Sequence, residues 1–162
     1  MNIELALANL KRHGFDAVYF ETAAQAAEYV AGELRGMSVG IGGSKTVEAM
    51  GLYETLAEQG EVYWHWKQPT AEERERAAHA QTYLSSANGI SETGEIVNID
   101  GMGNRVASTI YGHDRSVRCW HQQDRPQLAC GDRQGQERRL PAQRAQVRQA
   151  DALRPQRAHA LP

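Results

Sequence analysis

Two short stretches concentrate the residues able to do chemistry. The first, Gly89–Arg105 (GISETGEIVNIDGMGNR), sets Glu92, Glu95 and Asp100, the amides Asn98 and Asn104, and the Arg105 guanidinium around a short apolar run. Arg105 could take a carboxylate or phosphate in a two-pronged grip. Asp100 or Glu92 could act as a general base if buried. Asn98 and Asp100 share a face if the strand runs through them. Asp100 and Asn104 would otherwise only shape a turn, but so many convergent polar groups exceed what a turn requires. Asp100 and Arg105 are therefore the catalytic candidates, with Asn98, Gly101, Gly103 and Asn104 as ligand-binding candidates.

The second stretch is Val39–Thr46 (VGIGGSKT), a strand running into Gly42-Gly43-Ser44 and then Lys45 and Thr46 at a helix start. Backbone N–H groups there can cradle an anion, hydroxyls can add hydrogen bonds and Lys45 a point charge. Gly42, Gly43, Ser44 and Thr46 are the candidates. The spacing is not that of a P-loop, and the third glycine of a dinucleotide fingerprint is missing. The plain alternative is a tight strand-to-helix turn that needs small residues.

A third stretch, Tyr63-Trp64-His65-Trp66-Lys67, puts both tryptophans on one strand face and His65 on the other. As a base, His65 would need an orienting partner, and none is visible in the sequence. No zinc, iron–sulfur or Ser-His-Asp spacing occurs.

The elements that must position these groups alternate. A helix over 1–13 ends at Gly14, and a strand covers 16–20. Thr22 caps a helix over 23–34. Strand 38–41 leads to two short helices around Gly51, then to strand 61–66. Thr70 and Glu73 form a capping box on a charged helix over 70–80. Strand 82–86 precedes a hairpin turning at Thr93-Gly94, and Asn104 caps a helix over 105–111. This pattern predicts a single-domain α/β three-layer sandwich with a mostly parallel sheet plus a β-hairpin.

The chain has 162 residues and a net charge of −2, but the halves differ. Residues 1–115 hold 9 Lys+Arg against 16 Asp+Glu, whereas 116–162 hold 9 Arg against 4 Asp+Glu. The latter also contain nine Gln and four of the five prolines, and lack Ile, Phe, Tyr and Lys. A domain over 1–115 followed by an irregular or disordered tail is one reading, and a basic nucleic-acid arm a variant of it. The other is a shifted reading frame, in which His121-Gln122-Gln123-Asp124 becomes Ile-Asn-Lys-Ile and a helical pattern follows. The domain would then lack the next strand and covering helix after Tyr111, and 116–162 would carry no packed core. No apolar run approaches the roughly 18 residues of a membrane span, and the start lacks a signal-peptide pattern. A cytoplasmic location is expected.

VGIGGSKT, WHWKQPTAEERERA and above all SANGISETGEIVNIDGMGNRVASTIYG resemble the LUD domain of lactate utilization proteins, over about residues 1–115. The resemblance implies a fold similar to ribose-5-phosphate isomerase, glucosamine-6-phosphate deaminase and CoA transferases, with Gly42, Gly43, Ser44 and Thr46 inheriting ligand contacts. It implies a part in oxidising L-lactate to pyruvate beside other lactate utilization subunits, whose iron–sulfur centres would supply the redox chemistry. No cofactor is evident in this chain and no metal site is expected. A small anionic metabolite is the expected partner; membrane and nucleic acid are not. The alternatives are a sugar-phosphate isomerase-type enzyme on the same scaffold and an inactive frame-shifted copy. Similar short members continue with an apolar strand, an Asn-Lys-Ile run and a cysteine-containing segment, which the chain's own tail lacks.

Overall fold

The computed structural model describes residues 1–121 and 128–134. Helix α1 (Ile3–Arg12) starts where the Asn2 side chain accepts the Leu5 N–H, and it buries Ala6 and Leu10. After strand β1 (Asp16–Phe20), helix α2 (Ala23–Glu33) opens with a complete capping box. There the Thr22 hydroxyl accepts the Gln25 N–H, and the Gln25 side chain accepts the Thr22 N–H, both at 3.2 Å. Strand β2 (Val39–Ile41), helices α3 (Lys45–Ala49) and α4 (Leu52–Ala57), and strand β3 (Val62–Trp64) follow. Then come helix α5 (Ala71–His79), strand β4 (Thr82–Ser86), the hairpin strands β5 (Gly89–Ile90) and β6 (Ile96–Val97), and helix α6 (Asn104–Ile110). Strands β7 (Arg115–His121) and β8 (Leu128–Gln134) end the described chain.

The main sheet has the order β1-β8-β7-β4-β2-β3. Strands β7, β4, β2 and β3 are mutually parallel, and β8 runs antiparallel to both of its neighbours. Hairpin β5–β6 is a separate antiparallel ribbon. It turns at Gly94, whose φ of +89° suits glycine, and docks on α1, with Asn9 Nδ2 donating to the Glu92 carbonyl at 2.8 Å.

Side chains alternate across a strand, so one residue set meets each face. Val39, Ile41, Trp64, Leu84, Val117 and Cys119 face α2, α3 and α4 and build the core with Val30, Leu34, Val47, Leu52 and Leu56. Gly40, Gly42, Tyr83, Ser85, Ser116 and Arg118 face the other way, towards α5 and α6. Gly40 is what lets α5 lie on the sheet: a Cβ there would stand 2.1 Å from the Ala77 carbonyl oxygen.

Three expectations change. Strand β3 stops at Trp64, because the N–H groups of Lys67 and Gln68 both bond back to the Trp64 carbonyl (2.9 and 3.0 Å) and form a turn. Trp66 is therefore off the strand, and it folds back to stack on Trp64, with centroids 5.5 Å apart at 21°. On α5, the Thr70 hydroxyl accepts the Glu73 N–H as expected, at 3.0 Å. Glu73 does not close the box, however. Its carboxylate is buried and accepts the Trp64 N–H at 2.8 Å, tying α5 to the sheet edge.

The third change concerns the boundary at 115. The sheet continues through β7, which pairs with β4 from Thr82↔Arg115 to Ser86↔Cys119, and Val117 and Cys119 are buried in the core. Strand β7 thus continues the sheet after Tyr111, across the boundary expected at 115. The tail readings for 122–127 and 135–162 lie outside the described residues. Among the described residues, no helix is long and apolar enough to cross a membrane.

Candidate functional site

The parallel strands β2, β3 and β4 end side by side, and the loops leaving them meet. Gly42 follows β2, its N–H bonded to the Leu84 carbonyl at 2.9 Å. A Cβ on Gly42 would lie 2.8 Å from the Tyr83 hydroxyl, 3.0 Å from Ser85 Oγ and 3.1 Å from Arg105 Cγ. The Arg105 stem thus crosses directly over Gly42. Its Nη1 donates to the Gly43 carbonyl at 3.2 Å, and its Nη2 to Asn88 Oδ1 at 3.0 Å and to the Ile99 carbonyl. One side chain thereby ties the glycine loop to the 99–105 loop and to the end of β4.

These bonds alter the role expected of Arg105. Both Nη2 hydrogens are engaged by the protein, so the two-pronged grip is already occupied by backbone and amide oxygens. What remains towards a ligand is the positive charge, the Nε–H and the second Nη1 hydrogen.

Asp100 is also engaged. Its Oδ2 accepts the N–H groups of Arg105 (2.7 Å) and Val106 (3.1 Å), the first turn of α6. Partial burial pushes the carboxyl up, but the N–H groups of Val106, Arg105 and Met102 and the Arg105 charge outweigh it and hold it below the usual carboxylate range. A carboxylate held in this way is a helix cap and a weak base.

Asn104 is not the cap. It is the first residue of α6, and Gly103, at φ +83°, precedes it without a side-chain bond. Strand β6 ends at Val97, so the alternation placing Asn98 beside Asp100 does not extend that far. Asn98 is half-buried, and its Oδ1 is buried with no partner among the described residues. Gly101, Gly103 and Asn104 are exposed at the rim. Glu92 lies away from this cluster, its carboxylate taking the Asn2 N–H at 2.6 Å.

On the glycine loop, Ser44 is buried and its Oγ accepts the Val47 N–H at 3.1 Å, capping α3. Helix α3 has only five residues, so its dipole is small. Thr46 is half-buried and Lys45 is exposed.

Sequence reasoning missed several neighbours. Tyr83, whose hydroxyl bonds to Ser108, is pushed up to about 12, chiefly by burial. His113 lies against its ring, with centroids 5.0 Å apart. Ser85 is fully buried, with no partner for its Oγ among the described residues. The alternation in Thr82–Ser86 could have placed Tyr83 and Ser85 on one face. His65 does have a charged neighbour. Burial pushes its imidazole below the usual value, Arg74 adds to that, and the Asp100 carboxylate opposes it. Among the described residues, no group of three or more His, Cys, Asp or Glu side chains is placed to hold a metal.

A mostly parallel sheet with helices on both faces, and glycine-rich loops meeting at its strand ends, defines the class: an α/β protein whose polar loops converge at one sheet end. The LUD domain family model matches residues 3–117, and the chain belongs to that family. The match takes in the glycine loop, the 89–105 stretch and the start of β7. Neither the curated proteins nor the solved structures contain a match.

Proposed function

We propose that this chain is a lactate utilization protein of the LUD family that binds a small anionic metabolite where the Gly42–Thr46 and Asp100–Arg105 loops meet. It acts as an accessory subunit in the oxidation of L-lactate to pyruvate, with iron–sulfur centres residing in partner subunits and the whole assembly in the cytoplasm. The observation that carries the reading is the Arg105 side chain, which crosses Gly42 and bonds the Gly43 carbonyl. It brings a fixed positive charge to a glycine loop whose next residue but one, Lys45, is exposed.

Gly43 admits the Trp66 ring beside the loop, a Cβ there standing 3.1 Å from Cζ2, and Gly101, Gly103 and Asn104 form the outer rim. Arg105 ties the two loops together and supplies charge. Asp100 fixes the start of α6. An isomerase would need a carboxylate free to take a proton, and Asp100 is held by backbone donors, which favours the subunit reading over a stand-alone sugar-phosphate isomerase.

The test is a thermal-shift titration of the whole chain with L-lactate, pyruvate and ribose 5-phosphate. A ligand of the folded state raises the melting midpoint as its concentration passes the dissociation constant. At least one of these anions is expected to do so, with Lys45→Ala weakening the effect and leaving the unliganded midpoint unchanged. No shift with any of them at millimolar concentration overturns the reading. Turnover of ribose 5-phosphate by the chain alone would move it to the isomerase class.

A further inference from the structure

Trp66 is an aromatic side chain that the core does not need. Trp64, two residues earlier, is fully buried and fills the space between sheet and helices, whereas Trp66 remains 44% exposed. One face of the Trp66 ring rests on Trp64. His65 meets the ring edge-on, with centroids 6.4 Å apart at 75°, and limits its swing. The ring edge also reaches the glycine loop. A Cβ on Gly43 would stand 3.1 Å from Trp66 Cζ2 and 3.2 Å from Nε1. Gly43 is the residue whose carbonyl holds Arg105. A flat π surface and a cationic loop therefore meet at one glycine.

The geometry points to a nucleotide-type ligand, a planar heteroaromatic ring joined to a phosphate, with the ring stacked on Trp66 and the phosphate beside Gly43, Lys45 and Arg105. This inference rests on the anion-binding reading above and narrows its substrate class. A sugar phosphate or a hydroxy acid would use the charged loop but leave Trp66 bare. A heteroaromatic base would cover the indole, and such stacking is tolerant of the base's identity because every base has a π face. Trp66 Nε1–H, at the loop edge, adds a donor for a ring nitrogen or a phosphate oxygen.

The experiment titrates the whole chain with adenosine 5′-monophosphate, ribose 5-phosphate and adenosine at one ionic strength, reading indole fluorescence and affinity. The monophosphate is expected to quench emission and to bind about ten-fold more tightly than ribose 5-phosphate. Trp66→Ala should abolish that difference and leave ribose 5-phosphate affinity unchanged, while Trp66→Phe restores part of it. Because Trp66 stacks on Trp64, Trp66→Ala is expected to lower the melting midpoint and Trp66→Phe to lower it less, so affinities are read well below both midpoints.

Equal affinity for the monophosphate and ribose 5-phosphate would overturn the stacking platform and leave the anion site standing. So would an equal loss of both ligands in Trp66→Ala. Binding of adenosine as tight as that of the monophosphate, with no response to ribose 5-phosphate, would overturn the anion reading and leave only a stacking platform. No binding by any of the three overturns the nucleotide proposal.

Discussion

The two faces of the sheet are made from alternate residues of the same strands, yet they differ in kind. Towards α2, α3 and α4, residues such as Ile41, Leu84, Val117 and Cys119 pack into an apolar core. Towards α5 and α6, those strands present Gly40, Gly42, Tyr83, Ser85, Ser116 and Arg118. Ser85 Oγ and Ser116 Oγ are buried there with no partner among the described residues. The short helix over this second face leaves Ile110 and Tyr111 more than 70% exposed. The contrast separates tasks. Dispersion and apolar burial on the first face hold the fold. The second face carries polar groups and close backbone approaches, which stabilise less and are the material of a binding site.

Substitutions can break or sharpen this contrast. On the apolar face, Leu84→Ala deletes a fully buried side chain. It should lower stability in chemical denaturation by about 2–5 kcal/mol, the range for a Leu deletion that leaves a cavity. A loss under about 1 kcal/mol would show that this face is not the main support.

Next comes Glu73→Ala, at the sheet edge on the second face. It leaves the Trp64 N–H buried without its acceptor. The expected loss is about 1–3 kcal/mol, with the midpoint of urea unfolding falling and its slope unchanged.

Asp100→Ala tests the loop between the faces. Loss of a helix cap costs roughly 0.5–2 kcal/mol, and amide exchange should quicken first at Arg105 and Val106. The carboxyl is held below its unfolded value of 3.8. Its contribution is therefore complete above that value and lost as pH falls through the lower folded value. The gap between parent and variant should close in acid. A gap that widens in acid would exclude the cap.

The smallest effect belongs to the surface pair Lys67–Glu54, 2.7 Å apart with both side chains well exposed. Glu54→Gln should change stability by less than about 1 kcal/mol and the effect should fade in salt. A larger, salt-insensitive loss would mean that Lys67, lying 5.2 Å from the Tyr53 ring centroid, depends on Glu54 for that packing.

Local sequence was enough to determine the alternation of helices and strands, the caps at Thr22 and Thr70, the glycine turn after β2 and the hairpin at Gly94. Each depends on side chains within a few residues of one another, and those spacings are written in the chain. The family match covers the same stretches whose motifs stand out by eye. Strand β7 is hard to read in 115–121, because its core-facing apolar residues, Val117 and Cys119, alternate with Ser116 and Arg118. Which acceptors Arg105 would reach, that Asp100 rather than Asn104 would cap α6, and that Glu73 would turn from its own helix to Trp64 were decided by tertiary structure alone. In each case a donor and an acceptor compete for one another across the fold, and the winner is set by which backbone groups packing leaves unpaired and within reach.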